Sequence, residues 1–362
     1  MNFGSDNWAG AHPEIAAGLT QHAAGFAKPY GESDIDATIE ESLKTAFEHD
    51  LSAFFVATGT AANSLALTAV SKPGGIVFAH REAHIVVDEC GAPEYLSGQL
   101  RICQIDGEQG KMNPKALRKE VERIASYDVH GGRPVAISIT NPTESGTVYT
   151  LAEIDQISVI AKEFHLPLHM DGARFANGLV SQDCTPAEMT WKRGVDILSF
   201  GATKNGCWCA EAVLFFNKPL AQDFRFLRKR AAQLFSKSRF VSAQLEAYLK
   251  DDLWLQIARH SNSMCREVAA LFEKREGMRV VRTPQANELF VVMKAEDAER
   301  LEKDGVVFLQ WPEAGMGEVK KGEVVGRFVT SFATTGESVR ALGKCLGVEA
   351  GKGTVTNGVN GH

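Results

Sequence analysis

The sequence has no apolar run near the roughly 20 residues needed to cross a bilayer, so a membrane-spanning helix is not expected. It opens on Met1-Asn-Phe-Gly-Ser-Asp-Asn7, without the basic start and apolar stretch of a secretory leader, and the expected location is the cytoplasm. Cysteine is sparse: seven in 362 residues, odd in number and scattered. That usage fits reduced thiols better than a disulfide framework. Cys207 and Cys209 form a C-x-C pair, but no second Cys/His pair lies at zinc-finger spacing, so no metal site is expected. No basic block marks a nucleic-acid surface. The Arg- and Lys-rich stretch Phe224 to Arg239 reads as a solvated helix face. No internal repeat is present.

What is there is the composition of a large globular protein. The chain is 44% hydrophobic and 23% charged with a formal net charge of −6, enough apolar material for more than one ordinary domain. Short continuous apolar runs alternate with helical stretches through the first two thirds. Ala53 to Val56, Gly75 to Phe78, Pro134 to Ile139, Pro167 to Met170, Val195 to Phe200 and Ala212 to Phe216 read as strands. Ile35 to Glu48, Ala62 to Val70, Pro114 to Tyr127 and Leu151 to Phe164 read as helices. Such alternation predicts βαβ units and a mainly parallel sheet. Val241 to Arg275 reads as one long connecting helix. Three further strands, Met278 to Val281, Asn287 to Val292 and Gly326 to Ser331, are interleaved with helices at Glu296 to Asp304 and Glu337 to Leu346. The expected architecture is α/β: a large domain over residues 1–240 with an N-terminal arm, a smaller α+β domain over 241–349, and a patternless tail over 350–362, expected to be disordered.

Two segments at the ends of consecutive strands carry polar side chains: His169-Met-Asp-Gly-Ala-Arg174 and Ser199-Phe-Gly-Ala-Thr-Lys-Asn-Gly206. Ligands of open α/β sheets bind beyond the carboxyl ends of strands. A carboxylate at Asp171 and an amine at Lys204 match the needs of pyridoxal phosphate. The amine condenses with the aldehyde, and the carboxylate keeps the pyridine nitrogen protonated so that the ring accepts electrons. Neither residue alone is informative; the pair is. A third segment, Thr58-Gly-Thr-Ala-Ala-Asn63, joins a strand to a helix and offers backbone N–H groups and hydroxyls to a phosphate.

With these residues in view the chain resembles the low-specificity L-threonine aldolases, of the aminotransferase-like, fold-type I pyridoxal-phosphate enzymes. The resemblance runs from about Phe3 to Gly347. It rests on Ser5-Asp-Asn7, Tyr30-Gly-Glu32, Gly59-Thr60 with Asn63-Ser-Leu-Ala-Leu67, Ala83-His84, Asp88-Glu-Cys-Gly91, the two segments above, and Arg327-Phe-Val-Thr330. It implies a mixed, mainly parallel sheet and pyridoxal 5′-phosphate as cofactor. The implied reaction is cleavage of a β-hydroxy-α-amino acid, such as L-threonine, L-allo-threonine or phenylserine, to glycine and an aldehyde. Carried over by position, Lys204 would be the Schiff-base lysine and Asp171 would face the pyridinium. Arg174 would reach the ring's O3′ side and the substrate carboxylate. His84 would stack on the ring and, itself or through a water, act as base. Gly59 and Thr60 would hold the phosphate, and Ser5 and Arg327 the substrate carboxylate. Tyr30 would contribute from a neighbouring subunit, because the family shares its sites within a dimer and assembles as a dimer of dimers. Two departures stand out. Phe235-Ser-Lys-Ser-Arg239 replaces a Gly-rich stretch ending in Met-Arg-Gln, leaving its phosphate contacts open. Cys207-Trp-Cys209 replaces smaller residues, so Trp208 could narrow the substrate pocket. Transamination or β-elimination on the same scaffold stays open as an alternative, as does a non-catalytic binding protein.

Overall fold

The computed structural model describes residues 1–348; the tail over 350–362, expected to be disordered, lies outside them. The chain divides into two compact units. One is Gly10–Gln256; the other combines Met1–Ala9 with the chain from Ile257 onward. No helix among the described residues is long and apolar enough to cross a membrane.

The larger unit is built on seven strands: β1 (Ser52–Val56), β2 (Gly75–His80), β3 (Arg101–Ile105), β4 (Arg133–Thr140), β5 (Leu168–Gly172), β6 (Ile197–Gly201) and β7 (Glu211–Phe215). Their order is β1-β7-β6-β5-β4-β2-β3. The run from β3 through β6 is parallel. β7 is antiparallel to both its neighbours, β1 and β6. The mixed, mainly parallel sheet expected from the alternation is therefore present. The strands β5, β6 and β7 are buried at every position, which is why they read as unbroken apolar runs: helices cover both faces. The helix Gly59–Val70 sinks Leu65, Leu67 and Val70 into one core with Val77, Ile197, Val213 and Phe215.

The smaller unit carries β8 (Arg279–Val280), β9 (Glu288–Lys294), β10 (Leu309–Trp311) and β11 (Glu323–Val329), an antiparallel sheet in the order β10-β11-β9-β8. Val268, Phe272, Leu301, Phe308, Phe328 and Leu342 share its core with Phe3. Residues at the chain start are stitched in by backbone hydrogen bonds: Phe3 donates to Val307 at 2.8 Å and accepts from Val329 at 2.7 Å.

Two readings of the sequence differ from what is observed. Residues 241–275 do not form one helix but two, Arg239–Leu249 and Leu253–Glu273. Between them Asp251 and Asp252 take φ of 51° and 57°. Asp tolerates this left-handed conformation through local hydrogen bonding by its short side chain, and a helix cannot continue through it. The larger unit also extends past residue 240, because the helix Arg239–Leu249 packs within it. His22 meets Glu246 at 2.9 Å, Ser242 donates to Asp36, and Gly18 lies so close that a Cβ there would meet the Ala243 carbonyl at 3.2 Å.

Candidate active site

The carboxyl ends of the parallel strands bring most of the expected residues together within the larger unit. Asp171 is the fourth residue of β5, beside Thr140 of β4 and Ser199 of β6. It is buried, and both its oxygens are held: Oδ1 accepts from the Ala173 N–H at 3.0 Å and Oδ2 from the Asn63 side-chain amide at 2.8 Å. Beneath it on the same face of β5, His169 sits between the hydroxyls of Ser138 and Ser199, each at 2.9 Å. Burial pushes this histidine's pKa down to about 4, so it is a neutral core residue at physiological pH.

Lys204 lies in the short turn Thr203–Asn205 that follows β6. The turn is anchored from below. The Asn205 amide donates to the Tyr248 hydroxyl at 2.8 Å and to the Trp254 carbonyl at 2.9 Å, while Thr203 Oγ1 accepts from the Ala210 N–H at 3.1 Å. Glu211, at the start of β7, bonds Thr203 and interacts electrostatically with Lys204; its burial raises the carboxyl pKa to about 7. The Asp171 and Lys204 turns are packed backbone to backbone. A Cβ on Gly201 would fall 2.5 Å from the Ala173 carbonyl oxygen and 2.6 Å from its Cα. Gly201→Ala is therefore expected to force the turns apart. We expect it to cost about 1–3 kcal/mol of stability, read as lower thermal unfolding, and to lower activity with it. Unchanged stability would mean that the turns can separate freely.

His84 opens the short helix His84–Val87 after β2. Its Nδ1 pairs with Glu89 Oε1 at 2.9 Å. That bond raises its pKa most, burial opposes it, nearby Asp171 raises it, and Lys204 lowers it. Asp171 and Lys204 thus both act electrostatically on His84, which places all three near one another. Buried Glu89 also accepts from Asn63 at 2.8 Å. One amide group therefore bridges Glu89 and Asp171 and ties the histidine to the aspartate. Burial raises the Glu89 pKa, against the hydrogen bonds from His84 and Asn63. A further carboxylate, Glu144 in the loop after β4, accepts from the His84 backbone N–H at 2.9 Å. Burial, then repulsion from Asp171, raises its pKa to about 8.

Asn63, Glu89 and Glu144 were given no role by sequence reasoning. Glu144 carried a usable signal, since it follows a strand of the parallel sheet. Asn63 and Glu89 lay inside segments that the resemblance used, with no local hint that they meet.

At the phosphate turn, the Thr58 hydroxyl caps the helix by accepting from Ala61 N–H at 3.1 Å, so it is spent locally. Gly59 and Thr60 form the first turn of a 12-residue helix and are partly exposed. Apart from the adjacent residues and the helix's own backbone, no described atom lies within 4 Å of where a Gly59 Cβ would point, so this face of the helix start is open. Arg174 precedes the helix Phe175–Gln182 and is half-buried. Tyr30 is exposed, with φ of 63°, and Lys229 rests over its ring at 5.0 Å. Its loop is tied to the divergent stretch: Tyr30 N–H donates to the Ser236 carbonyl at 3.1 Å and Gly31 N–H to Ser238 Oγ at 2.7 Å. Arg239 donates to the Gly25 carbonyl at 3.1 Å. Trp208 is exposed.

Ser5 and Arg327 belong to the smaller unit. Ser5 Oγ accepts from the Asn7 N–H at 3.1 Å. Arg327, on β11, gives Nε and Nη2 to Glu288 Oε1 of β9 and lies 4.7 Å from the Trp311 ring centre, so its plane is fixed. No cluster of three or more His, Cys, Asp or Glu suited to a metal occurs among the described residues.

A sheet of this order, with an amine, a buried carboxylate, a histidine and an open helix start at its strand ends, defines an α/β enzyme of the fold-type I pyridoxal-phosphate class. The beta-eliminating lyase family matches residues 2–296. The low specificity L-threonine aldolase of Pseudomonas aeruginosa is 38% identical over 95% of this chain and 96% of its own. The enzyme of the same name from Pseudomonas sp. is 38% identical over 94% and 96%. The solved structure of Leishmania major threonine aldolase superposes with a TM-score of 0.89 at 28% identity, covering 96% of this chain and 98% of its own. The chain belongs to the beta-eliminating lyase family, among its low-specificity L-threonine aldolases.

Proposed function

We propose that the protein cleaves L-threonine, L-allo-threonine and related β-hydroxy-α-amino acids to glycine and an aldehyde, with pyridoxal 5′-phosphate as cofactor. The observation that carries this reading is the linked set Lys204, Asp171, Asn63, Glu89 and His84 at the strand ends. The residues fit the cofactor chemically. A buried carboxylate pre-held by two donors suits a cationic ring nitrogen, the Gly59 helix start suits a phosphate, and Lys204 suits a carbonyl. When bound, the cofactor supplies a sink for the electron pair released at Cα.

The chain's own residues do the rest. Lys204 would hold the cofactor through its amine. Asp171 keeps the ring nitrogen protonated. His84 would stack on the ring near the substrate hydroxyl, as the resemblance implies, with Glu89 fixing its orientation. Arg174 serves the O3′ side and the substrate carboxylate. Gly59 and Thr60 bind the phosphate. The roles of Ser5 and Arg327 toward the carboxylate rest on the resemblance, as do Tyr30's place in a neighbouring subunit's site, a dimer-of-dimers assembly and a cytoplasmic location.

The test is product analysis. Purified protein with cofactor is expected to be yellow and to release glycine and aldehyde in equal amounts from threonine, allo-threonine or phenylserine. Formation of a 2-oxo acid instead would overturn the reading in favour of transamination or elimination.

A further inference from the structure

We propose that Glu144 is the catalytic group that takes the proton from the substrate's β-hydroxyl during cleavage and returns it to the aldehyde oxygen in the reverse direction. This rests on the aldolase reading above, and it gives Glu144 the role that the sequence places on His84.

The argument is one of occupancy. Asp171 has both oxygens held and faces the ring nitrogen in the proposed arrangement. Glu89 is buried, its Oε1 is shared by His84 and Asn63, and its Oε2, though without a hydrogen-bond partner, is shut away from the surface. The His84 ring has a carboxylate at each nitrogen, Glu89 Oε1 at 2.9 Å from Nδ1 and Asp88 Oδ2 at 3.7 Å from Nε2, and the first of these raises its pKa. Glu144 differs from all three. It stands at a strand end on the loop after β4, its carboxylate accepts from the backbone N–H groups of His84 and of Glu144 itself and from none of these side chains, and the residue as a whole is half-buried rather than buried. The charged and titratable groups around it are Asp171 and His84. Beyond His84 stand Glu89, Asp88 and Lys204, and Glu82 bonds the neighbouring Ser145. Burial and Asp171 lift its pKa to about 8, close enough to neutrality for general-base work.

The step balances without an oxidant or reductant. The hydroxyl O–H bond breaks, its proton passes to Glu144, and its electron pair becomes the second C–O bond of the aldehyde. The Cα–Cβ pair would stay on Cα, where the cofactor would supply the electron sink, and a proton from Lys204 or solvent would complete glycine.

Glu144→Gln is the test, with Glu144→Asp as its conservative partner. The expected result is a fall in kcat for threonine cleavage of about 10²-fold or more in the Gln variant, with partial retention in the Asp variant. The rising limb of the wild-type kcat–pH profile near pH 8 should vanish in the Gln variant. Exchange of glycine's α-hydrogen with solvent, which involves no hydroxyl, should fall far less. A readout free of catalysis accompanies these. Between the unfolded carboxylate pKa near 4.5 and the folded value near 8, ionising the unfolded chain costs the wild type stability. The apoprotein's unfolding temperature should therefore fall with pH across that window relative to the Gln variant. Cleavage within threefold of wild type, or equal loss of cleavage and glycine exchange, would overturn the proposal. A wild-type protein that exchanges glycine but yields no aldehyde from any β-hydroxy amino acid would instead overturn the aldolase reading, and this proposal with it.

Discussion

Lys204→Ala is expected to yield a folded but colourless protein whose glycine release falls by about 10⁴-fold, the combined loss of the covalent anchor and of a positioned proton carrier. The fold should survive, because the turn carrying Lys204 is anchored by the residues on either side of it. Asn205 and Thr203 anchor that turn to Tyr248, Trp254 and Ala210. Circular dichroism and the unfolding temperature of the apoprotein should match the wild type within a few degrees, while the visible absorbance of bound cofactor disappears on dialysis. Lys204→Arg separates charge from covalency. A guanidinium keeps the positive charge beside His84 and Glu211 but stays protonated and cannot condense with an aldehyde. It should lose as much activity as alanine. An arginine variant that kept a tenth of the wild-type rate would reduce Lys204 to an electrostatic role.

The reason Lys204 could be singled out in the sequence is the same reason the sheet could be. Strands buried on both faces must be apolar throughout, so β5, β6 and β7 announce themselves, and the polar residues that end them stand out. Where burial is one-sided the signal fails. The edge strand β3, Arg101-Ile-Cys-Gln-Ile105, mixes exposed and half-buried positions and carries no unbroken apolar run, so it went unread. The helix Pro13–Gln21, capped by His12 with Pro13 in its first turn, also went unread, because its stretch of small residues hid the period. The break at Asp251 and Asp252 follows from backbone conformation alone, which two adjacent aspartates permit but do not require. The stitching of Phe3 to Val307 and Val329 spans three hundred residues, and no local pattern encodes it.

The site divides along the same line. Lys204, Asp171, Gly59 and Thr60 could be read from where they fall relative to strands. The bridge from His84 through Glu89 and Asn63 to Asp171 could not, because it needs the loop after β2 and the helix after β1 to converge on the end of β5. Two of its members are buried carboxylates, and groups of that kind are informative only once their partners are seen. A buried carboxylate costs several kcal/mol unless hydrogen bonds or charge offset its desolvation, so each one kept at a ligand site points to chemistry that uses it.

Asp171→Asn tests that network at its centre, and kcat is expected to fall by about 10²–10³-fold, the scale of removing one pre-oriented electrostatic contact. The substitution keeps the shape, and an asparagine oxygen can still accept from the Ala173 N–H. The other side is the conflict. A second amide placed against the Asn63 amide sets donor against donor where Asp171 Oδ2 now accepts. The ring nitrogen loses the negative charge that holds its proton, while Lys204 and the phosphate turn still bind the cofactor, so the yellow colour should persist as activity falls. A second consequence has a definite sign. Asp171 now raises the pKa of both His84 and Glu144. Without its charge, ionising Glu144 becomes easier and its pKa drops below the wild-type value near 8. The rising limb of the residual kcat–pH profile should move to lower pH. A limb that stays in place while kcat falls would separate Glu144 from the titration, and a rate within threefold of wild type would remove Asp171 from the ring nitrogen altogether.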